Sequence, residues 1–549
     1  MSERNPRVHR RTFLKGVGLG LGSVAVAGPA RAAGLLEEGK KLQLAKVWAP
    51  TLAQQRLLSG FDETHNVFDD GSIEILLWPG DLQRLRATGL RHEVTVDDVV
   101  ERDRAMLESA PPRPASLEPQ PGERSDYRRL ADYEADMQAL VQQHPDKAKL
   151  LTLPNASLEG RPVHGLEIAA NVSRRDGRPV FYMDGMHHAR EWPAAEMPIM
   201  WAYDLLETYG TDARITALMD TARFVVVPLQ NPDGFHHSRE SLVQNSNTGG
   251  LPPGGIEGYW RKNRRSVTGV TIPVIQKNPD AYGIDPNRNY AHNWGGPGAS
   301  SGNFDQTSRG AAAFSEPESR NVAHLLSTYQ ITALESSHTA GNLVLRPWGY
   351  TYDDPPDDEL LRTLGDECGV ITGYKSQKSI QLYITTGTTV DYGYGSFGSL
   401  AYTFEHSGTG FHPPYASAVP QMYAKCRPAF LLLAEAAANP AWHGVITGRA
   451  LDGSGAPIPG AEIRLHKEFA TPLWPNAGPD YPEAIDTSMV AEEDGTFEYH
   501  TNPSTRPHIQ FEGGTEAFQL TAASPSGERT LEVVVSRGEV VDLGDIQIS

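Results

Sequence analysis

Between residues 126 and 440 two textures alternate. Stretches with helical spacing of apolar positions, such as DYRRLADYEADMQALVQQHP, are followed by short continuous apolar runs: PVFYMDG, RFVVVPL, ITALESS and SLAYTFE. Helical periodicity alternating with buried-type strands predicts an α/β domain over 126–440, with a central mixed or mostly parallel sheet flanked by helices. After AWHG the spacing changes to strict apolar/polar alternation between Gly, Pro and Asp turns, as in GVITGRALDGSGAPIPGAEIRLHK and TLEVVVSRGEVVDLGDIQIS. That pattern predicts a separate β-sandwich over 443–549. Ahead of the α/β region, SIEILLWPGDLQRLRATGLRHEVTVDDVV reads as strand, helix, strand, a small α+β unit within 35–108. The Pro-rich SAPPRPASLEPQPGERS marks a linker over 109–125. No internal repeat is evident.

The first residues follow another logic. HRRTFLKG, then GLGLGSVAVAG, then PARAAG give paired arginines, a weakly apolar run and an Ala-x-Ala cleavage pattern at Ala30–Ala32. This order predicts a twin-arginine export signal over 1–32 and a periplasmic or extracellular destination, with folding completed before export. The apolar run is well short of the ~20 residues a bilayer needs, so no transmembrane segment is expected in the mature chain. His9 departs from the Ser or Thr usual at its position. The formal charge is −19 over 549 residues, and the leader's six basic residues against Glu3 make the remainder more acidic still. That balance argues against nucleic acid or an anionic membrane as a partner. The two cysteines, Cys368 and Cys426, allow one disulfide or two buried thiols, and neither lies in a metal-like cluster. A transition metal would have to use His and carboxylate ligands.

Open α/β sheets place ligands beyond the carboxyl ends of their strands. PVFYMDG runs into MHHARE, ITALESS into His338, and SLAYTF into Glu405, so three strand ends deliver histidines and carboxylates toward one edge. A catalytic zinc takes three such ligands and keeps one position open. His188 and Glu191 form an HxxE pair at one-turn spacing. His187 pairs at the same spacing with Arg190, which cannot ligate a cation, so His188 is the better candidate. His338 can supply the third ligand. An HxxE pair alone is a weak signal.

The motifs HAREW, LQNPDGF, YWRKNRR, DPNRNY, AFSEPE, SSHTAGNLVLRPWGY and YTFEHSG, in that order, resemble the zinc metallocarboxypeptidases of the pancreatic carboxypeptidase A type, from about Tyr127 to Asn439. The resemblance implies one zinc ion per chain, held by His188, Glu191 and His338, with Glu405 as the catalytic glutamate. It implies Arg261 as the arginine facing the scissile carbonyl, and Asn287 with Arg288 as the pair gripping the free carboxylate of a peptide. It places Tyr383 where the family has its mobile tyrosine and Val390 at the base of the side-chain pocket, where basic-specific relatives carry aspartate. An aliphatic residue there implies apolar or aromatic terminal residues, with Asp391 next to it as a competing candidate. Arg190 is implied further out, as a substrate contact or an ion-pair partner.

Several features fall outside that pattern. Thr339 and Ala340 replace the Ser-Tyr common after the third ligand. Residues 236–258 resemble an inserted loop in which His236 and His237 are expected to be exposed, and Arg264 and Arg265 are expected at the surface. The acidic run 353–359 is expected to be a solvated loop leading into a helix rather than a calcium site. The N-terminal unit resembles the family's pro-regions, either a removable inhibitor or a permanent accessory domain, and the sandwich resembles transthyretin-like regulatory domains. The implied function is removal of C-terminal residues from peptides. A cell-wall peptide amidase or DL-peptidase on the same fold, and an inactive peptide-binding protein, are the competing readings.

Overall fold

The computed structural model describes residues 41–68, 70–240, 255–266, 283–501 and 515–548. The predicted leader and most of the inserted loop lie outside the described residues. None of the described helices is long and apolar enough to cross a membrane.

The N-terminal unit is a four-stranded antiparallel sheet of β1 (Gln43–Trp48), β2 (Asp62–Val67), β3 (Ser72–Leu77) and β4 (His92–Val96) in the order β2-β3-β1-β4, with helices α1 (Asp81–Thr88) and α2 (Val99–Glu108). β3 places Ile73, Ile75 and Leu77 on one face and Ser72, Glu74 and Leu76 on the other, all buried except the half-buried Glu74. Ile75 and Leu77 pack with Phe61 and Leu85 inside the unit. Leu76 and Trp78 pack with Ile256, Tyr259 and Phe411 of the following domain. Leu76 and Trp78 would face water in the unit by itself, and the α/β domain covers them.

That domain is built on an eight-stranded mixed sheet: β5 (Ala148–Thr152), β6 (His164–Ile168), β7 (Val180–Gly185), β8 (Arg223–Val227), β9 (Ile331–Thr339), β10 (Leu343–Arg346), β11 (Lys375–Lys378) and β12 (Leu400–His406). The order is β11-β10-β12-β9-β7-β8-β6-β5, with the central β12, β9, β7 and β8 mutually parallel. These four strands are buried at every position, which is why they read as unbroken apolar runs. The helices are α3 (Leu130–Gln143), α4 (Trp192–Thr208), α5 (Ala213–Thr221), α6 (Pro317–Thr328), α7 (Asp358–Thr372), α8 (Thr389–Phe397) and α9 (Tyr415–Ala438). Cys368 on α7 and Cys426 on α9 are buried free thiols.

The C-terminal sandwich has β13 (Gly444–Leu451), β14 (Glu462–Thr471), β15 (Tyr481–Val490), β16 (Thr496–Thr501), β17 (Thr515–Ser524), β18 (Gly527–Ser536) and β19 (Val540–Gln547). They form sheets β16-β13-β19 and β15-β14-β17-β18. The sandwich is docked rather than loosely tethered. Phe469 packs edge-on against Phe397 of α8 at 5.4 Å, and Thr471 Oγ1 donates to Ser396 Oγ at 2.9 Å.

Candidate metal centre and substrate cleft

Gly185 ends β7. A Cβ there would lie 2.1 Å from the Ala194 carbonyl oxygen, so glycine lets the first turn of α4 close over the strand end. The connection leading into that turn carries the HxxE pair, with Glu191 at the N-cap of α4. His188 Nδ1 lies 2.8 Å from Glu191 Oε1. From β9, His338 Nδ1 lies 3.0 Å from Glu191 Oε2 and 3.2 Å from His188 Nδ1. Two imidazole nitrogens and a carboxylate thus face one point, all buried, with ligand atoms within 4.8 Å of one another. Burial opposes the charge on Glu191, yet His188 and His338 hold its carboxyl well below the usual range.

The outward nitrogens are also engaged. His188 Nε2 lies 3.1 Å from Asp285 Oδ1, and His338 Nε2 lies 3.4 Å from Asn287 Nδ2. A carboxylate behind a metal-binding imidazole orients the ring and raises its basicity. Three N and O donors with supporting partners fit a divalent zinc site. His187, one residue earlier, is turned elsewhere: its Nε2 lies 2.7 Å from the Tyr290 hydroxyl.

Glu405 on β12 is directly paired in register with His338 on β9, and parallel neighbours in register project to the same face. Burial pushes its carboxyl up to about 8, against the pull of His338. Arg261 donates through Nε and Nη2 to Asp285 Oδ2 at 3.2 and 2.9 Å, while its buried Nη1 has no hydrogen-bond partner among the described residues. Arg288 is held by Nε to the Gly298 carbonyl at 3.0 Å and by Nη1 to that of Asn287 at 2.9 Å. Gly298 has φ +79, and a Cβ there would meet the Ile384 carbonyl oxygen at 1.9 Å, so this turn requires glycine.

One cavity is lined by His188, Asn287, Arg288, Tyr383, Val390 and Glu405 together. Leu345 and Leu382 add apolar wall. The alternative base, Asp391, is absent from that lining. Its carboxylate accepts from the Gly349 backbone N–H at 3.1 and 3.0 Å, and burial pushes it up to about 7.

The remaining wall comes from the N-terminal unit. His65 of β2 lines the same cavity, stacked on Tyr383 at 5.9 Å, with Nδ1 3.3 Å from Glu405 Oε2 in a close approach without hydrogen-bond alignment. Its φ of 68° is a left-handed conformation uncommon for a residue with a side chain. Glu63 is buried nearby; burial pushes its carboxyl up to about 8, opposed by Arg288 and Arg261. Asp62 accepts from Arg190 Nη1 and Nη2 at 2.5 and 2.6 Å and from Trp78 Nε1 at 2.8 Å. The Arg190 guanidinium also lies 4.1 Å from the Phe411 ring centroid. Arg190 is thus held in a buried ion pair with Asp62.

Some expectations need correction. His236 and His237 are half-buried rather than exposed, and His237 packs edge-on against Trp260 at 5.0 Å. Arg265 is half-buried and paired with the buried Glu316 at 2.7 Å, and Arg264 lies over Trp260 at 4.9 Å, because this basic run crosses a packed segment rather than open surface. The acidic run does lead into a helix, α7, and its Asp354 pairs with Lys378 at 2.6 Å. Among the described residues the His188, Glu191 and His338 group alone gathers three metal-type ligands. Sequence reasoning missed Asp285, which stands within the DPNRNY motif but was assigned no role there. It also missed the segment 62–65, which has no signal until the two domains are docked.

The zinc carboxypeptidase family profile matches residues 133–425. Carboxypeptidase A1 of Rattus norvegicus is 26% identical over 333 residues, covering 59% of this chain and 72% of that protein. Carboxypeptidase A1 of Mus musculus is 28% identical over 292 residues, covering 52% of this chain and 63% of that protein. The crystal structure of carboxypeptidase A from Helicoverpa armigera superimposes with a TM-score of 0.58 at 20% identity, covering 73% of this chain and 98% of that one.

Proposed function

This chain belongs to the zinc carboxypeptidase family, and from that premise we propose that it removes the last residue of peptides with a free C-terminal carboxylate, favouring apolar or aromatic residues. The observation that carries this reading is the single cavity in which His188 and Glu405 meet Asn287, Arg288, Tyr383 and Val390. His188, Glu191 and His338 would hold the metal. Zinc, when bound, supplies Lewis-acid polarisation of the attacking water and the scissile carbonyl.

The protein's own groups do the rest. Glu405 takes the water's proton on a carboxylate oxygen and returns it to the leaving amine. Arg261, anchored to Asp285, offers its unpartnered Nη1 to the oxygen on which negative charge develops. Arg288, with two of its nitrogens held by backbone carbonyls, is preorganised to bind the terminal carboxylate. Val390 presents an aliphatic base to the side chain of the departing residue, and the inward turn of Asp391 toward Gly349 supports that preference.

The test is hydrolysis of N-blocked dipeptides ending in Phe, Leu, Arg or Glu, each as free acid and as amide. Free acids ending in Phe or Leu should be cleaved fastest and the amides should resist. Arg288→Ala should raise the KM for the free acids by about 10- to 100-fold, the worth of a lost charge-assisted hydrogen bond. Cleavage indifferent to amidation would instead favour an amidase, and zinc binding without any cleavage a peptide-binding protein. Metal content separates the two histidines: after dialysis against a weak chelator, His187→Ala should keep about one zinc per chain, whereas His338→Ala should lose most of it.

The same proposal covers the flanking units. Residues 1–32 direct export to the periplasm or beyond. The N-terminal unit holds the enzyme latent, because His65 occupies the space next to Glu405 that substrate needs. The sandwich braces α8, the helix that carries Val390.

A further inference from the structure

The carboxylate grip depends on which way Asn287 points its amide. A side-chain amide has one accepting end and one donating end. A substrate carboxylate accepts only, so the amide must turn its nitrogen toward the cavity; the reverse orientation would set oxygen against oxygen. Asn287 Oδ1 accepts two hydrogen bonds from one residue: Thr389 N at 2.8 Å and Thr389 Oγ1 at 3.0 Å. With the oxygen committed there, Nδ2 faces the other way, where His338 Nε2 lies at 3.4 Å.

Thr389 is itself held. Its Oγ1 lies 3.1 Å from His187 Nε2, the nitrogen that also contacts the Tyr290 hydroxyl at 2.7 Å. The His187 ring is fully buried and stacks on the His338 ring at 5.5 Å and 16°. Its Nδ1 lies 3.8 Å from Asp184 Oδ1. Thr389 is also the first residue of α8, immediately before Val390. One hydroxyl therefore joins three parts of the cleft: the imidazole stacked on the candidate metal ligand, the amide of the carboxylate grip, and the helix bearing the pocket base.

We propose that Thr389, buttressed by His187, is a positioning residue that locks Asn287 with its amide nitrogen toward the substrate carboxylate. The inference rests on the assignment of Asn287 and Arg288 as the carboxylate grip. Thr389 does not touch the reacting atoms; it acts through Asn287. Losing the hydroxyl weakens carboxylate binding in ground state and transition state alike, so KM rises and kcat is spared.

The experiment uses the zinc-loaded full chain, nicked in the 109–125 segment with both fragments retained. Thr389→Val, close in shape but without the hydroxyl, should raise KM about tenfold on free-acid dipeptides with kcat within about twofold. Thr389→Ser should restore the KM. Calorimetric affinity for 3-phenylpropanoate, an apolar monocarboxylate that needs no turnover, should fall and recover in parallel, and zinc content should stay constant. His187→Ala should move KM in the same direction. If Thr389→Val does not fold, Thr389→Ala carries the same comparison. A KM unchanged in the hydroxyl-free variant, a loss confined to kcat, or failure of serine to rescue overturns the proposal. Arg288→Ala is the control: if it leaves free-acid selectivity intact, the carboxylate-grip reading itself has failed, and if it abolishes selectivity while Thr389→Val does nothing, only the positioning role has.

Discussion

Glu405→Gln should lower kcat by about 10²–10⁴ while fold, zinc content and KM change little. Glutamine fills the same volume and keeps the packing of β12, and the three candidate metal donors are on other elements. What it cannot do is accept a proton from water at the carboxylate oxygen and return it. The register pairing of Glu405 with His338 sets the distance between proton acceptor and metal donor by the sheet itself. A change at this one group therefore alters chemistry without altering geometry. The measurement is single-turnover hydrolysis of a Phe-terminated dipeptide, with metal analysis on the same samples. Full turnover in the variant would remove Glu405 from the mechanism and leave another group to be found.

The second large effect is activation. The intact chain should be nearly inert, and limited proteolysis in the 109–125 segment, where no residue is buried, should release activity. Asp62→Ala should do so without proteolysis. Asp62 and Arg190 are a fully buried bidentate pair, and removing one partner leaves the other buried and uncompensated, at a cost of about 3–5 kcal/mol. If that cost falls on the docked state alone, it raises the population of undocked chain by about 150- to 4,000-fold. Ile73 with Leu343, Leu345, Leu382 and Tyr383 still favours docking, so the variant should approach the nicked enzyme rather than equal it. Initial rates of intact wild type, intact variant and nicked wild type, measured side by side, test this. Equal rates for intact and nicked wild type would make the N-terminal unit a permanent accessory domain.

His188, Glu191, His338 and Glu405 could be singled out as candidates before folding because strand ends and one-turn helix spacing are local properties. Each residue closes an apolar run or opens a helix, and the rule that open sheets gather ligands at their strand ends does the rest. The expected division of the chain into units rests on the same kind of signal: the period of apolar positions changes along the sequence. Val390 and Asp391 were not separable that way. Adjacent positions on a helix start differ by about 100° in direction, and only the bond from the Gly349 backbone to Asp391 fixes which one faces the cavity.

The sequence by itself determined the elements, the family resemblance and the candidate ligands, since these follow from residue type and spacing along the chain. Tertiary structure alone decided that Asp285 joins His188 to Arg261, that Thr389 orients Asn287, and that His65 and Asp62 of the N-terminal unit reach into the cleft. Each of those contacts joins segments more than 20 residues apart or on different elements. Their energies come from burial and hydrogen-bond alignment, which exist only after the sheets have packed, and no periodicity along the chain encodes them.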